Sequence, residues 1–301
     1  MRPKPTHDDS KALARGVASA PVRADRDLEL LARPELRPVR LLLDYWKPEL
    51  GLSDRGILHT IVVFGSTRLL DPAVAMERLA EAERNAACHP DDTDARSALR
   101  EARSAAEQSR YYAIARELGR LVGGCGEGPE DSRLAIVTGG GPGAMEAANR
   151  GAHDVGAASI GLNIALPHEQ PPNPYVTPEL SFSFRYFALR KLHFMQRARA
   201  LVALPGGYGT FDELFETLCL IQTGKRAPLP VVLVGREFWQ RAIDFDFLVD
   251  RCVLDSDDLE LFTFAESADE IWASIVGWYA ERGRSIFDEP ERAHDGDRTC
   301  R

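Results

Sequence analysis

The chain has 301 residues, of which 44% are apolar and 28% are charged, and these proportions are ordinary for a soluble globular protein. Its formal net charge of −9 argues against a general nucleic-acid binder, because such proteins usually carry a basic domain. The five cysteines are scattered and form no C-x-x-C pair, so they indicate neither a zinc site nor a disulfide framework. No apolar run approaches the ~20 residues of a membrane helix, and we expect a cytoplasmic protein without a membrane partner.

The first part of the chain is predicted to be an extension of the main body. Residues 1–25 are polar and without periodicity, and we expect them to be disordered. Residues 26–55 form leucine-rich segments interrupted by prolines, which predict a helical extension. Residues 73–122 are rich in Ala, Glu and Arg, with a break at 89–92. They predict a helical hairpin or one long interrupted helix.

Strands alternate with helices over the main domain, which we predict to span residues 56–285. The β-branched and apolar runs predict strands at 60–64, 134–138, 159–164, 200–204 and 230–234. Helices are predicted at 144–154, 187–197, 214–223, 239–254 and 267–282, and residues 167–178 as a proline-rich loop. This order predicts an α/β fold, a Rossmann-like doubly wound parallel sheet with helices on both faces. Residues 286–301 are predicted to be a mobile polar tail.

Three glycine turns follow predicted strands, at Gly65-Ser66, at residues 139–143 and at residues 206–209. Ligands of doubly wound sheets bind at the carboxyl ends of the strands, where such turns lead into helices. We therefore expect the three turns to converge on one site, although they lie far apart in the sequence.

The last turn, Pro205-Gly-Gly-Tyr-Gly-Thr210, carries the most information. Its glycines allow a ligand to approach the backbone and tolerate positive φ, and the helix that follows directs N–H groups and its positive dipole end at the turn. Glu213 lies one helical turn later, so a carboxylate beside a bound phosphate suggests chemistry on a nucleotide or a sugar phosphate. The alternative is a capping box, in which Thr210 caps the helix and Glu213 reaches back to its N–H group.

The middle turn formally fits a dinucleotide pattern, Gly139-x-Gly141-x-x-Ala144. NAD binding would also need an acidic residue at the end of the next strand, and that strand instead contains Asn163. Glu146 lies in the first turn of the following helix. It is interpreted either as a favourable partner of the helix dipole or as a ligand of ribose hydroxyls.

The pair Arg190-Lys191 lies on the predicted helix that leads into the fourth strand. Arg190 could point into the same cleft, where a guanidinium would suit a phosphate or orient Glu213, or it could be a solvated side chain. A pyridoxal-phosphate lysine at Lys191 would require a larger fold than the one predicted. The histidines have no metal-binding spacing, so no catalytic metal is expected.

Three stretches resemble the Lonely Guy (LOG) family, whose members are often labelled lysine decarboxylases. They are residues 139–149 (GGGPGAMEAAN), Arg190-Lys191 and residues 205–213 (PGGYGTFDE), and the resemblance covers residues 55–283. Residues 162–177 look like the longer bacterial branch of the family rather than the short plant-type enzymes.

The resemblance implies hydrolysis of the N-glycosidic bond of a nucleoside 5′-monophosphate, such as AMP or a cytokinin riboside 5′-monophosphate, to free base and ribose 5-phosphate. It implies a cytoplasmic homodimer or higher homo-oligomer without a metal or an organic cofactor, and it makes Glu213 and Arg190 the catalytic pair. The residues expected to bind the substrate are Gly206, Gly207, Gly209 and Thr210 at the phosphate, with Gly140, Gly141, Glu146, Lys191, Gly65 and Ser66 around it. The rival hypothesis is a nucleotide-binding carrier without catalysis, which would not require Arg190 and Glu213 together.

Overall fold

The computed structural model of the chain describes residues 22–165 and 171–288. The chain divides into two compact units, residues 1–43 and residues 44–301. Most of the predicted disordered N-terminus, nearly all of the predicted tail, and the segment 166–170 of the proline-rich loop lie outside the described residues. The domain bounds given above therefore stay predictions.

The first unit is helical in its described part. It contains a 3-10 turn at Ala24–Arg26, helix α1 at Leu28–Ala32 and a second 3-10 turn at Pro34–Leu36. Asp27 caps α1, since its carboxylate accepts a hydrogen bond from the Leu30 N–H group at 2.9 Å. Helix α2, Arg37–Asp54, begins in this unit and ends in the second.

The second unit is built on one seven-stranded parallel sheet. Its strands are β1 His59–Phe64, β2 Leu134–Thr138, β3 Ser159–Ile164, β4 Ser181–Phe184, β5 Ala198–Ala203, β6 Val231–Val234 and β7 Thr263–Ala265. They lie in the order β4-β3-β2-β1-β5-β6-β7, and each neighbouring pair is parallel. The order reverses between β1 and β5, which confirms the predicted doubly wound α/β fold.

Helices cover both faces of the sheet. They are α3 Pro72–Cys88, α4 Thr93–Gly123, α5 Ala144–Asp154, α6 Phe187–Gln196, α7 Tyr208–Gln222, α8 Arg236–Ala242, α9 Phe245–Asp250 and α10 Ala268–Ala280, with 3-10 turns at Pro178–Leu180 and Ser256–Leu261. On one face α4, α5 and α10 bury an apolar cluster that includes Ile61 of β1 and Ile271. On the other face α6 and α7 bury a second cluster that includes Val62 and Leu214. Successive side chains of β1 point to opposite faces of the sheet, so this strand contributes to both apolar clusters.

Two strands were missed by the sequence analysis, because both are short edge strands. β4 lies between the predicted proline-rich loop and the predicted helix at 187–197, and only its Phe182 and Phe184 are buried. β7 has three residues. The predicted helix over 239–254 is in fact α8 and α9, because Asp244 accepts a hydrogen bond from the Phe247 N–H group and starts a new helix. Of the two predictions for residues 73–122, the structure shows the helical hairpin, because α3 ends at Cys88 and α4 begins at Thr93.

Within the described residues, no helix is both long enough and apolar enough to cross a membrane.

Candidate active site

The turns after β1, β2 and β5 meet at the carboxyl edge of the sheet, where the strand order reverses. The Ser66 N–H group donates to the Pro205 carbonyl oxygen at 2.9 Å, and the Ala144 N–H group donates to the Ser66 carbonyl oxygen at 3.0 Å. The predicted convergence of the three glycine turns is therefore confirmed. Doubly wound folds bind their ligands at this position.

Positive φ is found in the turn after β2 and not in the turn before α7, where we expected it. Gly140 has φ +74° and Gly143 has φ +72°, and a Cβ on Gly143 would lie 2.3 Å from the Ser66 carbonyl oxygen. Gly207 is extended, with φ −97°, and Gly209 already belongs to α7. A Cβ on either of these two glycines would meet no atom of the described residues within 4 Å, so this part of the chain leaves space beside the turn for a ligand.

Helix α7 begins at Tyr208, six residues before the predicted start, and this excludes the capping-box interpretation. Gly207 is the N-cap, no side chain caps the helix, and Thr210 and Glu213 both lie inside it. A Cβ on Gly206 would lie 2.2 Å from Thr210 Oγ1, so this glycine permits close packing of the turn on the helix. The N–H groups of Thr210 and Phe211 donate to the Gly207 carbonyl oxygen at 2.9 and 3.1 Å, so the N–H groups that this helix end can offer to a phosphate are those of Tyr208 and Gly209.

Glu213 is a buried carboxyl group in the first half of α7. It is 5% exposed, and burial raises its pKa to about 7. Lys191 and Arg190 oppose this shift, whereas Glu216 and Asp212 add to it. Within the described residues, no cation lies within ion-pair distance of the Glu213 carboxylate. Its acidity is therefore matched to proton transfer near neutral pH.

Arg190 extends from α6 to the turn after β2. Its Nε donates to the Leu162 carbonyl oxygen at 2.7 Å, and its guanidinium lies 5.1 Å from the centre of the Phe194 ring. A Cβ on Gly139 would lie 2.5 Å from Arg190 Nη2, so the absence of a side chain at Gly139 makes room for the guanidinium. Burial lowers the pKa of Arg190, and the charge of Glu213 raises it. Arg190 is thus near Glu213 but hydrogen-bonded elsewhere.

Lys191 pairs with two carboxylates of α7. Its Nζ lies 2.9 Å from Asp212 Oδ2 and 2.7 Å from Glu216 Oε2. Burial alone would lower the pKa of Lys191, but the bonds to Glu216 and Asp212 raise it. The ammonium group predicted to bind substrate therefore has two protein partners.

Glu146 is bound to α4 through a tyrosine. The Tyr112 hydroxyl donates to Glu146 Oε1 at 2.9 Å, and Arg150 Nη1 donates to the same hydroxyl at 3.3 Å and to Asp71 at 3.0 Å. Burial raises the pKa of Tyr112 to about 12, so this hydroxyl stays a donor across the physiological range. Within the described residues, the hydrogen bond from Tyr112 is made to Oε1 of Glu146, and no bond to Oε2 is found.

Two further glycines predicted to bind substrate permit close packing. A Cβ on Gly65 would lie 2.6 Å from the Ala144 Cβ, and a Cβ on Gly141 would lie 2.8 Å from the Met145 Cε. At Gly65 packing alone already requires glycine, whereas at Gly141 the neighbour is the end of the flexible Met145 side chain, which could move aside.

The sequence analysis missed a buried amide network that holds the turn after β2. Asn149 Oδ1 accepts from the Thr138 hydroxyl at 2.7 Å and from Asn173 Nδ2 at 3.0 Å. Asn173 also donates to the carbonyl oxygens of Gly140 and Gly141, at 2.8 and 3.0 Å. Asn149 ends the motif of residues 139–149, but its role depends on Asn173, which no local pattern connects to it.

A family model described as "Possible lysine decarboxylase" matches residues 145–275, a range that contains Glu146, Arg190-Lys191 and Glu213. A "Probable cytokinin riboside 5'-monophosphate phosphoribohydrolase LOG4" of Oryza sativa subsp. japonica is 28% identical over 150 residues. The aligned region spans 48% of this chain and 64% of the rice protein, less than two thirds of its length.

Two solved structures are similar at low identity. The Moco carrier protein of Chlamydomonas reinhardtii is 18% identical, with 74% of this chain and 98% of that chain covered and a TM-score of 0.43. The molybdenum cofactor binding protein of Rippkaea orientalis is 13% identical, with 74% and 96% covered and a TM-score of 0.43. The match of residues 145–275 to the family model described as "Possible lysine decarboxylase" confirms the resemblance that the motifs indicated.

Proposed function

We propose that this protein hydrolyses the N-glycosidic bond of a nucleoside 5′-monophosphate to free base and ribose 5-phosphate. The observation that carries the proposal is Glu213, a buried carboxyl with a pKa of about 7, placed in the first half of α7 directly behind a glycine turn. The similarity to the rice protein supports the same reaction class.

In the proposed reaction the N-terminus of α7 holds the 5′-phosphate, with Gly206, Gly207, Gly209 and Thr210 around it. Fixed donors at a helix end need little reorganisation, so phosphate binding helps to position the sugar. Glu146 accepts hydrogen bonds from ribose hydroxyls. Arg190 lies at the turn after β2, where its charge faces both the substrate and Glu213.

Glu213 acts where charge develops. As the C1′–N bond breaks, its electron pair leaves with the base, which takes up a proton from the solvent, and positive charge forms on C1′ and the ring oxygen. The ionised carboxylate stabilises that charge and removes a proton from the water whose oxygen bonds to C1′. Only the ionised form can do this, so we expect kcat/KM to fall as the pH drops below about 7, with a slope that reports one proton.

The direct test incubates the purified protein with AMP, other 5′-monophosphates, isopentenyl-AMP and the matching nucleosides, without added cofactor. Chromatography then measures the free base. Release of free base from the nucleotides but not from the matching nucleosides supports the proposal. The relative rates then rank the bases that the protein prefers. Nucleotide binding without release from any of them would instead support the carrier hypothesis. The predicted homodimer is measured on the same sample by light scattering.

Gly209→Ala should separate binding from stability. The added methyl group meets no atom within 4 Å, so the free energy of unfolding should stay within about 1 kcal/mol of wild type. A methyl group beside the first N–H groups of α7 obstructs the phosphate, and we expect KM for the nucleotide to rise by about 10-fold or more. An unchanged KM would contradict the assignment of the phosphate to this helix end.

Tyr112→Phe should weaken ribose recognition through Glu146. The variant removes the donor that holds Glu146 Oε1, and a hydrogen bond of this kind contributes about 2- to 10-fold in KM. The 2′-deoxy and 3′-deoxy nucleotides provide the matched control, since at least one of them should lose less from the substitution than the ribonucleotide. Equal losses on all three substrates would show that the bond only stabilises the fold.

A further inference from the structure

The side chain of Lys191 extends from α6 to α7. Its Nζ bridges Asp212 Oδ2 at 2.9 Å and Glu216 Oε2 at 2.7 Å, and its side chain is 18% exposed. Asp212 and Glu216 lie four residues apart, so they share one face of α7, and Glu213 lies between them in the sequence. The ammonium is therefore fixed beside the proposed catalytic carboxyl by two contacts that do not involve a ligand.

The middle of α7 concentrates negative charge. Asp212, Glu213 and Glu216 fall within five residues, and like charges disfavour ionisation of a buried carboxyl. The charged groups that act on Glu213 are Arg190 and Lys191 of α6 and Asp212 and Glu216 of its own helix. Among these charges Lys191 has the largest effect, and it lowers the pKa of Glu213 against the effect of burial.

The two cations of α6 have different attachments. Arg190 donates to the Leu162 carbonyl oxygen and packs over Gly139, on the side of the turn after β2. Lys191 is attached to α7 itself. A cation that is held on the same helix as Glu213 keeps its distance from that carboxyl whether or not a substrate is bound.

We propose that Lys191 is a positioning residue, whose fixed ammonium neutralises Asp212 and Glu216 and keeps a positive charge beside Glu213, and that it does not bind the substrate. This inference rests on the proposed function of Glu213 as the catalytic carboxylate. It gives the second residue of the Arg190-Lys191 pair a role distinct from the first.

The kinetic test compares Lys191→Met, which keeps the apolar stem, with Lys191→Arg, which keeps the charge. In Lys191→Met the fall of kcat/KM at low pH, here called the low-pH limb, should move to higher pH. The value of kcat/KM at pH 6 should therefore be about 3- to 10-fold lower than in wild type, and at pH 9 it should approach the wild-type value. Lys191→Arg should restore the wild-type profile. The double substitution Asp212→Asn with Glu216→Gln should move the limb in the opposite direction.

A second readout does not require hydrolysis. The free energy of unfolding is measured from pH 4 to pH 9 for wild type, Glu213→Gln, Lys191→Met and the combined Lys191→Met/Glu213→Gln variant. The pH range in which Glu213→Gln changes stability reports the ionisation of Glu213 in the folded protein. That range should lie at higher pH in the Lys191→Met background.

The outcomes separate the two proposals. The pH range in which Glu213→Gln changes stability could shift in the Lys191→Met background while the protein hydrolyses no nucleotide. That result would support the coupling of Lys191 to Glu213 and overturn the proposed function. An unshifted range overturns the role of Lys191. A raised KM at every pH with an unmoved limb also overturns it, because that result means that Lys191 binds the substrate. If Lys191→Met does not fold, Lys191→Gln replaces it in both measurements, and the same outcomes apply.

Discussion

Replacing Glu213 with glutamine should reduce kcat on the best nucleoside 5′-monophosphate by about 10²- to 10⁴-fold, the range expected when a general base or a charge-stabilising group is removed. Glutamine keeps the size and shape of the side chain but can neither accept the proton of water nor carry the negative charge that stabilises C1′. The measurement is the steady-state rate of base release at saturating substrate.

The same substitution should stabilise the protein at alkaline pH. The folded-state pKa of Glu213, about 7, lies above the ordinary value of 4.5, so the folded protein binds more protons than the unfolded chain between these values. Stability therefore falls as the pH rises through this window, and above it Glu213 costs on the order of 3 kcal/mol. The Glu213→Gln variant should therefore be more stable than wild type at pH 8, and this difference in the free energy of unfolding should disappear as the pH falls towards 4.5.

The two effects have a shared control, Glu101→Gln, on the exposed surface of α4. It should change neither kcat nor the pH dependence of unfolding. A Glu213→Gln variant that folds and retains the wild-type rate would show that Glu213 is not catalytic. A variant that is inactive but shows no stabilisation at pH 8 would show that the carboxyl is better solvated than its burial indicates.

Gly151→Ala should destabilise the fold by more than about 3 kcal/mol, because it places a methyl group against backbone rather than against a side chain that could rotate away. A Cβ on Gly151 would lie 1.8 Å from the Arg116 carbonyl oxygen and 2.9 Å from the Gly119 Cα, where α5 crosses α4. Relief requires the two helices to separate, and they cover one face of the sheet. Urea unfolding at pH 7.5 measures the loss.

Gly277→Ala is the matched control for this prediction. Gly277 also lies inside a helix, α10, but a Cβ there meets no atom within 4 Å. Alanine should stabilise it by about 0.5–1 kcal/mol, since it restricts the unfolded chain and favours the helix. Similar losses at both glycines would mean that helix propensity, and not the helix crossing, controls the stability at Gly151.

The fold could be predicted from the sequence wherever the pattern is local and strong. The runs at β1, β2, β5 and β6, each followed by a turn and a helical segment, predicted the parallel sheet, and the first three of them predicted the meeting of the glycine turns. β4 and β7 could not be predicted in this way, because a strand of three or four residues at a sheet edge has too few positions to show a period. The start of α7 was wrong for a related reason: its first turn contains glycine and aromatic residues that a propensity argument assigns to the preceding loop.

The sequence by itself determined which glycine turns meet at the candidate site and which charged side chains to propose there, since glycine turns and motif spacing are properties of adjacent residues. Only the tertiary structure decided what those residues can do. The pKa of Glu213 depends on burial, Arg190 is held by a carbonyl of β3 and by the space above Gly139, and Lys191 is held between two carboxylates of another helix. Desolvation and charge act through space, and the groups that set them here are brought together from distant parts of the chain by the packing of α6 and α7 on the sheet.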